Sequence, residues 1–325
     1  MIRPPAIEET ACNLCGRYDV ETVGTVDRNG RPLRTVLCRG CGLIWTNPRP
    51  SEAEIDRYYA TSYRVDYTHR RTPTLRKILR GMLGAQDRRR SLRLLIREGS
   101  RTVDVGCGAG EFVFLLRHLG TDALGIDLGE EYAEFSRRVF GVPVQIATVE
   151  TAVIEPGSQD LVTMFHALEH VADPRGTLNI VRGWLKKGGA LVVEVPNVDS
   201  TVQAPRHRFH FAHLFSFNEA TLGALGETAG LRLARSYLSD DGGNVTCIFR
   251  RLSDQRRETV ALPENVERVR RILRTHTSAR HYLSTVPYRR ALRRLARRWR
   301  EDRLLRRLLT VEAIVAWAAG TDGGE

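Results

Sequence analysis

The sequence predicts an α/β protein built on a doubly wound parallel sheet, and three observations predict it. From Arg101 onward, short β-branched runs alternate with longer amphipathic stretches. A glycine-paved turn, Gly106-Cys107-Gly108-Ala109-Gly110, follows the first run directly, and an acidic residue, Asp127, closes the second. Strands are expected at 102–106, 123–128, 143–147, 160–165 and 190–195, with helices near 110–119, 130–139, 174–186 and 218–229. The end of the region is different. Residues 231–238 and 244–251 flank Gly242-Gly243 and read as two strands joined by a tight connection, which is not a dinucleotide-binding arrangement.

With 325 residues, 42% hydrophobic and 27% charged, the chain can bury one large core and one or two satellites. No run of 18 apolar residues occurs, so no membrane-spanning helix is expected. Residues 1–10 lack the apolar centre of a secretion signal, which points to a cytoplasmic protein. The net charge of +12 is uneven: from Arg251 on there are 18 Arg against nine Asp or Glu. Nucleic acid, an anionic lipid surface or an anionic substrate could each exploit such a tail.

Four segments follow from these patterns. In residues 1–50, Cys12-Asn13-Leu14-Cys15-Gly16 and Cys38-Arg39-Gly40-Cys41-Gly42 form two C-x-x-C pairs, each followed by a glycine. Between them Val20–Val26 and Leu33–Leu37 read as strands joined through Asn29-Gly30, a strong hairpin signal. This is a zinc-ribbon pattern, with Cys12, Cys15, Cys38 and Cys41 as four thiolate ligands for a structural Zn²⁺. With all four ligands from protein, such a site has no open position for catalysis. Thr46–Pro50 reads as an extended linker.

Residues 51–97 read as a helical linker. Ser51 and Glu54 form a capping box for a short helix through Tyr58. Leu75, Ile78, Leu79, Met82 and Leu83 then make an apolar stripe opposite Arg76, Lys77 and Arg80, suited to packing on the main domain or to lying on anionic lipid. Residues 98–251 hold the sheet. Residues 252–325 are a basic helical tail in which Tyr288, Leu292, Leu295 and Trp299 share one face among Arg residues.

The turn has the spacing G-x-G-x-G with Asp104 two residues ahead, not the G-x-G-x-x-G that cradles a pyrophosphate. Asp127 can take both hydroxyls of a ribose. A ligand with a ribose, an ammonium and no pyrophosphate fits better, and S-adenosylmethionine is such a ligand. The runs Asp104–Gly110, Gly125-Ile126-Asp127, Asp160–Val171 and Lys187–Leu191 resemble the successive motifs of class I S-adenosylmethionine-dependent methyltransferases. The resemblance implies a Rossmann-like sheet of seven strands with the last antiparallel. It implies a cofactor site of Asp104, Gly106, Cys107, Gly108, Gly110, Asp127, Leu128, Thr148, Val149, Phe165 and His166.

The ribbon and the Asn47-Pro48-Arg49-Pro50 segment resemble the N-terminal module of bacterial methyltransferases of sugar and surface-glycan biosynthesis. In the sugar C-methyltransferases of that group a Tyr-His-Glu-His motif supplies the base. Here the stretch is His210-Phe211-Ala212-His213, which keeps only His213 in place and favours O-methylation. Histidine suits the removal of a hydroxyl proton near neutral pH. His213, His210 and His170 are the candidate catalytic groups. His166-x-x-Glu169-His170 is also similar to the Glu-x-x-Glu-His set that holds a divalent metal in ubiquinone-biosynthesis O-methyltransferases, with His166 in place of the first Glu.

The expected acceptor is a small-molecule or lipid-linked glycan, with the tail in peripheral contact with an anionic membrane at its inner face. Two other readings use the same residues: an RNA methyltransferase whose ribbon handles substrate, and a membrane-associated S-adenosylmethionine-binding scaffold without activity.

Overall fold

The computed structural model describes residues 7–51, 55, 72–251 and 260–320. The expected capping box at Ser51 and Glu54, and the helix through Tyr58, fall outside them apart from Ser51 and Ile55.

The chain begins with β1 (Ile7–Glu8), β2 (Val20–Val26), β3 (Pro32–Cys38), β4 (Ile44–Thr46) and β5 (Arg49–Pro50). β2 and β3 form the expected hairpin. Its turn is closed by the Asp27 carboxylate, whose Oδ1 accepts from Asn29 N at 2.8 Å and Arg31 N at 2.9 Å. Thr46–Pro50 is not a free linker. Thr46 ends β4 and Arg49–Pro50 pair antiparallel with β1, because Asn47 accepts from Thr10 N through Oδ1 and from Arg34 through its carbonyl.

Helix α1 (Leu75–Leu92) starts at Thr74, whose hydroxyl accepts from Lys77 N. Ile78, Leu79 and Met82 are buried as the stripe requires. The opposite face pairs with protein. Arg80 makes a two-pronged contact with Glu301 at 2.8 and 2.7 Å, Arg76 lies 2.5 Å from Asp302, and Lys77 Nζ donates to the Tyr132 hydroxyl. The packing reading of this helix therefore holds.

Next come β6 (Arg101–Val105), α2 (Glu111–His118), β7 (Asp122–Asp127) and α3 (Glu130–Phe135), which widens into a π-helical turn at Ser136–Phe140. β8 (Val144–Ile146), β9 (Gln159–Phe165), α4 (Pro174–Trp184) and β10 (Leu185–Pro196) follow. α4 ends two residues before the expected position because Leu185 and Lys186 already belong to β10. β11 (Phe215–Ser216), α5 (Glu219–Thr228), β12 (Arg232–Leu238) and β13 (Asn244–Arg250) complete this part.

Seven strands form one sheet in the order β12-β13-β10-β9-β6-β7-β8, and β12 and β13 pair antiparallel. β6 runs parallel to both β7 and β9, so their C-terminal ends leave the sheet on one edge, where the glycine turn lies. A surface hollow lined by Arg101, Asp122, Leu124 and Glu155 sits by the opposite, N-terminal ends, away from that turn.

The tail contains α6 (Pro263–Thr275), α7 (Ser278–Leu283), α8 (Val286–Leu305) and α9 (Val311–Gly320). Among the described residues no helix is long and apolar enough to cross a membrane. The chain divides into two compact units. One comprises Met1–Asp56, Phe165–Gly183 and Leu191–Ala291; its core joins Leu37 and Ile44 to Val198, Val266 and Val269. The other comprises Arg57–Met164, Trp184–Ala190 and Leu292–Glu325 and contains the glycine turn.

Candidate active site

The glycine turn is set by β6 and β7. Gly106, Gly108 and Gly110 all have positive φ, at 71°, 59° and 86°, which explains the alternate glycines. At Gly110 a Cβ would meet Ser136 Oγ at 1.9 Å, so the start of α2 admits no side chain. Asp127 fixes the turn from the next strand: Oδ2 accepts from Gly108 N and Oδ1 from Gly129 N, both at 2.8 Å. Asp104 is buried beneath, and Thr163 of β9 donates to its Oδ1 at 2.6 Å. Burial raises the Asp104 carboxyl to about 6, although the Thr163 hydrogen bond favours the ionised form.

The other expected cofactor residues fall at strand ends. Cys107 is turned inward, its Sγ 2.6 Å from where a Cβ on Gly125 would stand, so the strand glycine makes room for the thiol. Leu128 is half-buried, Val149 is buried, and Thr148 exchanges hydrogen bonds with Thr151 in the loop after β8. Phe165 is buried at the end of β9, and His166 follows it.

A second cluster gathers the histidines. His166, the one described non-glycine residue with positive φ (54°), lies 3.4 Å from both Glu169 Oε1 and Glu194 Oε1. Burial opposes its charge, but the two carboxylates outweigh burial and raise it to about 9. Glu169 is 1% exposed and neither of its oxygens has a hydrogen bond. Burial disfavours its ionised form, yet the positive fields of His170 and His166 win and lower it to about 2.

His170 Nδ1 lies 2.7 Å from the Ala212 carbonyl, which orients the ring, and its Nε2 is 3.8 Å from Glu169. Its ring meets that of His213 edge-on at 4.9 Å, and His210 meets His213 the same way at 5.2 Å. Burial, with the fields of Arg28 and His170, lowers His210 to about 4. Burial, with the field of His170, lowers His213 to about 3, partly opposed by Glu169. Both imidazoles are thus neutral at pH 7. The three candidate catalytic histidines meet in one place. Among the described residues the histidine-loop group whose donor atoms lie within 4.8 Å of one another is Glu169, His170 and His213, while His166 lies 3.4 Å from Glu169 and from Glu194.

The four ribbon cysteines are free thiols whose Sγ atoms lie within 4.8 Å of one another. Cys12–Cys41 and Cys15–Cys38 are 3.5 and 3.4 Å apart. Four sulfurs about 2.3 Å from one Zn²⁺ stand roughly 3.8 Å apart at tetrahedral angles. The cluster fits the ion.

The family described as Methyltransferase domain matches residues 67–236. The chain belongs to this family. A stretch of 105 residues is 39% identical to a ubiquinone biosynthesis O-methyltransferase of Methylococcus capsulatus; it covers 30% of this chain and 44% of that protein. The chain thus spans less than half the length of that relative. Two solved structures are also similar. One is a SAM dependent methyltransferase from Archaeoglobus fulgidus, 18% identical, covering 52% of this chain and 94% of that one at a TM-score of 0.45. The other is a SAM dependent methyltransferase from Aquifex aeolicus, 15% identical, covering 61% and 97% at 0.43.

Sequence reading of the methyltransferase domain missed two residues in these clusters. Glu194 is a lone charge in the apolar run Leu191–Val195, and that isolation was its signal. Thr163 had none, because its hydroxyl matters only where β9 lies beside β6.

Proposed function

We propose that the chain transfers a methyl group from S-adenosylmethionine to a hydroxyl of a sugar or glycan, with His213 as the base. The observation that carries this reading is the gathering of His213 with His170 and the buried Glu169, whose donor atoms lie within 4.8 Å of one another. S-adenosylmethionine, when bound, supplies an electrophilic methyl on a sulfonium. In the proposal Asp127 holds the ribose hydroxyls, Asp104 faces the amino group, and the backbone of Gly106–Gly110 accommodates the rest without side-chain interference. Leu128, Thr148, Val149, Phe165 and His166 line the remaining surface.

His213 accepts the hydroxyl proton as the oxygen attacks, and Glu169 offsets the positive charge that then forms on the imidazole. His170 and His210 hold its ring edge-on. In-line alignment supplies much of the rate of such a displacement.

The same proposal includes Zn²⁺ held by Cys12, Cys15, Cys38 and Cys41 in a purely structural role, and a chain working at the inner membrane face. On α8, residues 291–300 are exposed without interruption. Tyr288, Leu292, Leu295 and Trp299 are 61–69% exposed among Arg289, Arg290, Arg293, Arg294, Arg297 and Arg298. Apolar side chains ringed by arginines suit the headgroup region of an anionic bilayer, where a lipid-linked acceptor would also lie. The test is methyl incorporation from labelled S-adenosylmethionine into a panel of nucleotide sugars and lipid-linked saccharides. Incorporation into a saccharide hydroxyl is expected; none across the panel would sink the acceptor assignment.

A further inference from the structure

The ribbon and the histidine loop share one sheet. β11 begins two residues after His213 and is the edge strand of a four-stranded sheet ordered β11-β4-β3-β2. Phe215 stands opposite Trp45 and Ser216 opposite Ile44, and Thr46 N donates to the Leu214 carbonyl at 2.9 Å. The other end of the loop is held as well. In the β2–β3 turn, Arg28 N donates to the Phe209 carbonyl at 2.9 Å. His210–His213 is therefore pinned on both sides by ribbon backbone.

Packing reinforces the two hydrogen bonds. Phe209 packs with Val23 against the core formed by Leu37, Ile44, Val198, Val266 and Val269. Its ring lies where a Cβ on Gly24 would come within 2.8 Å. The strands that grip the loop leave directly from the thiol cluster: β3 ends at Cys38 and β4 begins three residues after Cys41. Gly42 N and Leu43 O both bond back to Cys38, so the turn carrying two thiols sets the register of β3 against β4. Leu37 and Ile44 anchor these strands in the shared core, and an ion bound at the four thiols would tie the Cys38–Cys41 turn that sets their register.

We propose that the Cys12, Cys15, Cys38 and Cys41 centre acts as the positioning element for His210 and His213, by holding the sheet edge to which their loop is bonded. The ribbon is thereby a support for the base. This rests on the reading of His213 as the base, but the coupling itself needs no turnover to be seen.

The experiment is hydrogen–deuterium exchange on the full chain, with metal bound and after chelation, using S-adenosylhomocysteine as the probe of the glycine turn. Removing metal should speed exchange in the segment 209–217 by about tenfold or more, while S-adenosylhomocysteine affinity stays within about twofold. A second arm keeps the metal. Gly24→Ala should retain about one metal per chain and still loosen 209–217, because the added methyl displaces Phe209. Adding Phe209→Leu should restore protection. A loop that stays protected without metal, or in metal-loaded Gly24→Ala, overturns the proposal. If exchange responds as expected but His213→Ala retains activity, the base assignment fails and the coupling stands.

Discussion

Asp127 and Gly108 are joined across neighbouring strand ends by a 2.8 Å hydrogen bond from the glycine amide to the carboxylate. The same carboxylate accepts from Gly129, so one side chain fixes both the glycine turn and the start of the next helix. Asp127→Asn removes the charge that strengthens these bonds and the proposed ribose contacts. Charge-assisted hydrogen bonds contribute about 1.5–3 kcal/mol each. S-adenosylhomocysteine affinity should therefore fall on the order of 10–100-fold by calorimetry, and an unchanged affinity would remove Asp127 from the cofactor site.

Asp104 predicts how that affinity depends on pH. Its carboxyl is raised to about 6 by burial, so the proton is held more tightly in the folded protein than in the unfolded chain. The cofactor's ammonium favours the ionised form. Affinity should be full above pH 6 and fall as pH drops through 6, by up to about tenfold per unit. Titration calorimetry at pH 7.5 and 5 checks this. In Asp104→Asn the affinity should be weak at both, and a pH dependence equal to the wild type would count against the assignment.

His213→Ala should lower methyl transfer by roughly 10²–10⁴-fold, the usual contribution of a positioned base. S-adenosylhomocysteine binding should stay within about twofold, since the substitution leaves the glycine turn untouched. Single-turnover rates with an accepted saccharide decide it. Surviving activity would transfer the role to another group.

The α8 stripe predicts binding to vesicles containing anionic phospholipid, weakening as salt rises. Burying a Leu or Trp side chain in the interface contributes about 1.5–3 kcal/mol. Leu295→Ser with Trp299→Ser should therefore reduce sedimentation with such vesicles by at least about tenfold, at unchanged thermal stability because both side chains are exposed. Equal binding by the two proteins would discard the stripe as a membrane surface.

The sheet was legible because its signals are local. Buried strands such as Val162–Phe165 read as apolar runs, and Gly106, Gly108 and Gly110 mark the backbone that must adopt positive φ. The hairpin at Asn29-Gly30 and the paired C-x-x-C spacings are equally local. The Thr46–Pro50 segment was misread as a linker because its partner, β1, is a two-residue strand too short to leave a pattern.

The sequence by itself determined the α/β class, the glycine turn with Asp104 and Asp127, and the four-thiol module, since each depends on residues close together in the chain. Only the tertiary structure decided that His166 lies between Glu169 and Glu194, which raise its pKa, while burial lowers that of His213. It alone joined residues 215–216 to a sheet begun at residue 20. A two-residue edge strand has no periodicity of its own, and its place is fixed by hydrogen bonds to a partner some 170 residues away.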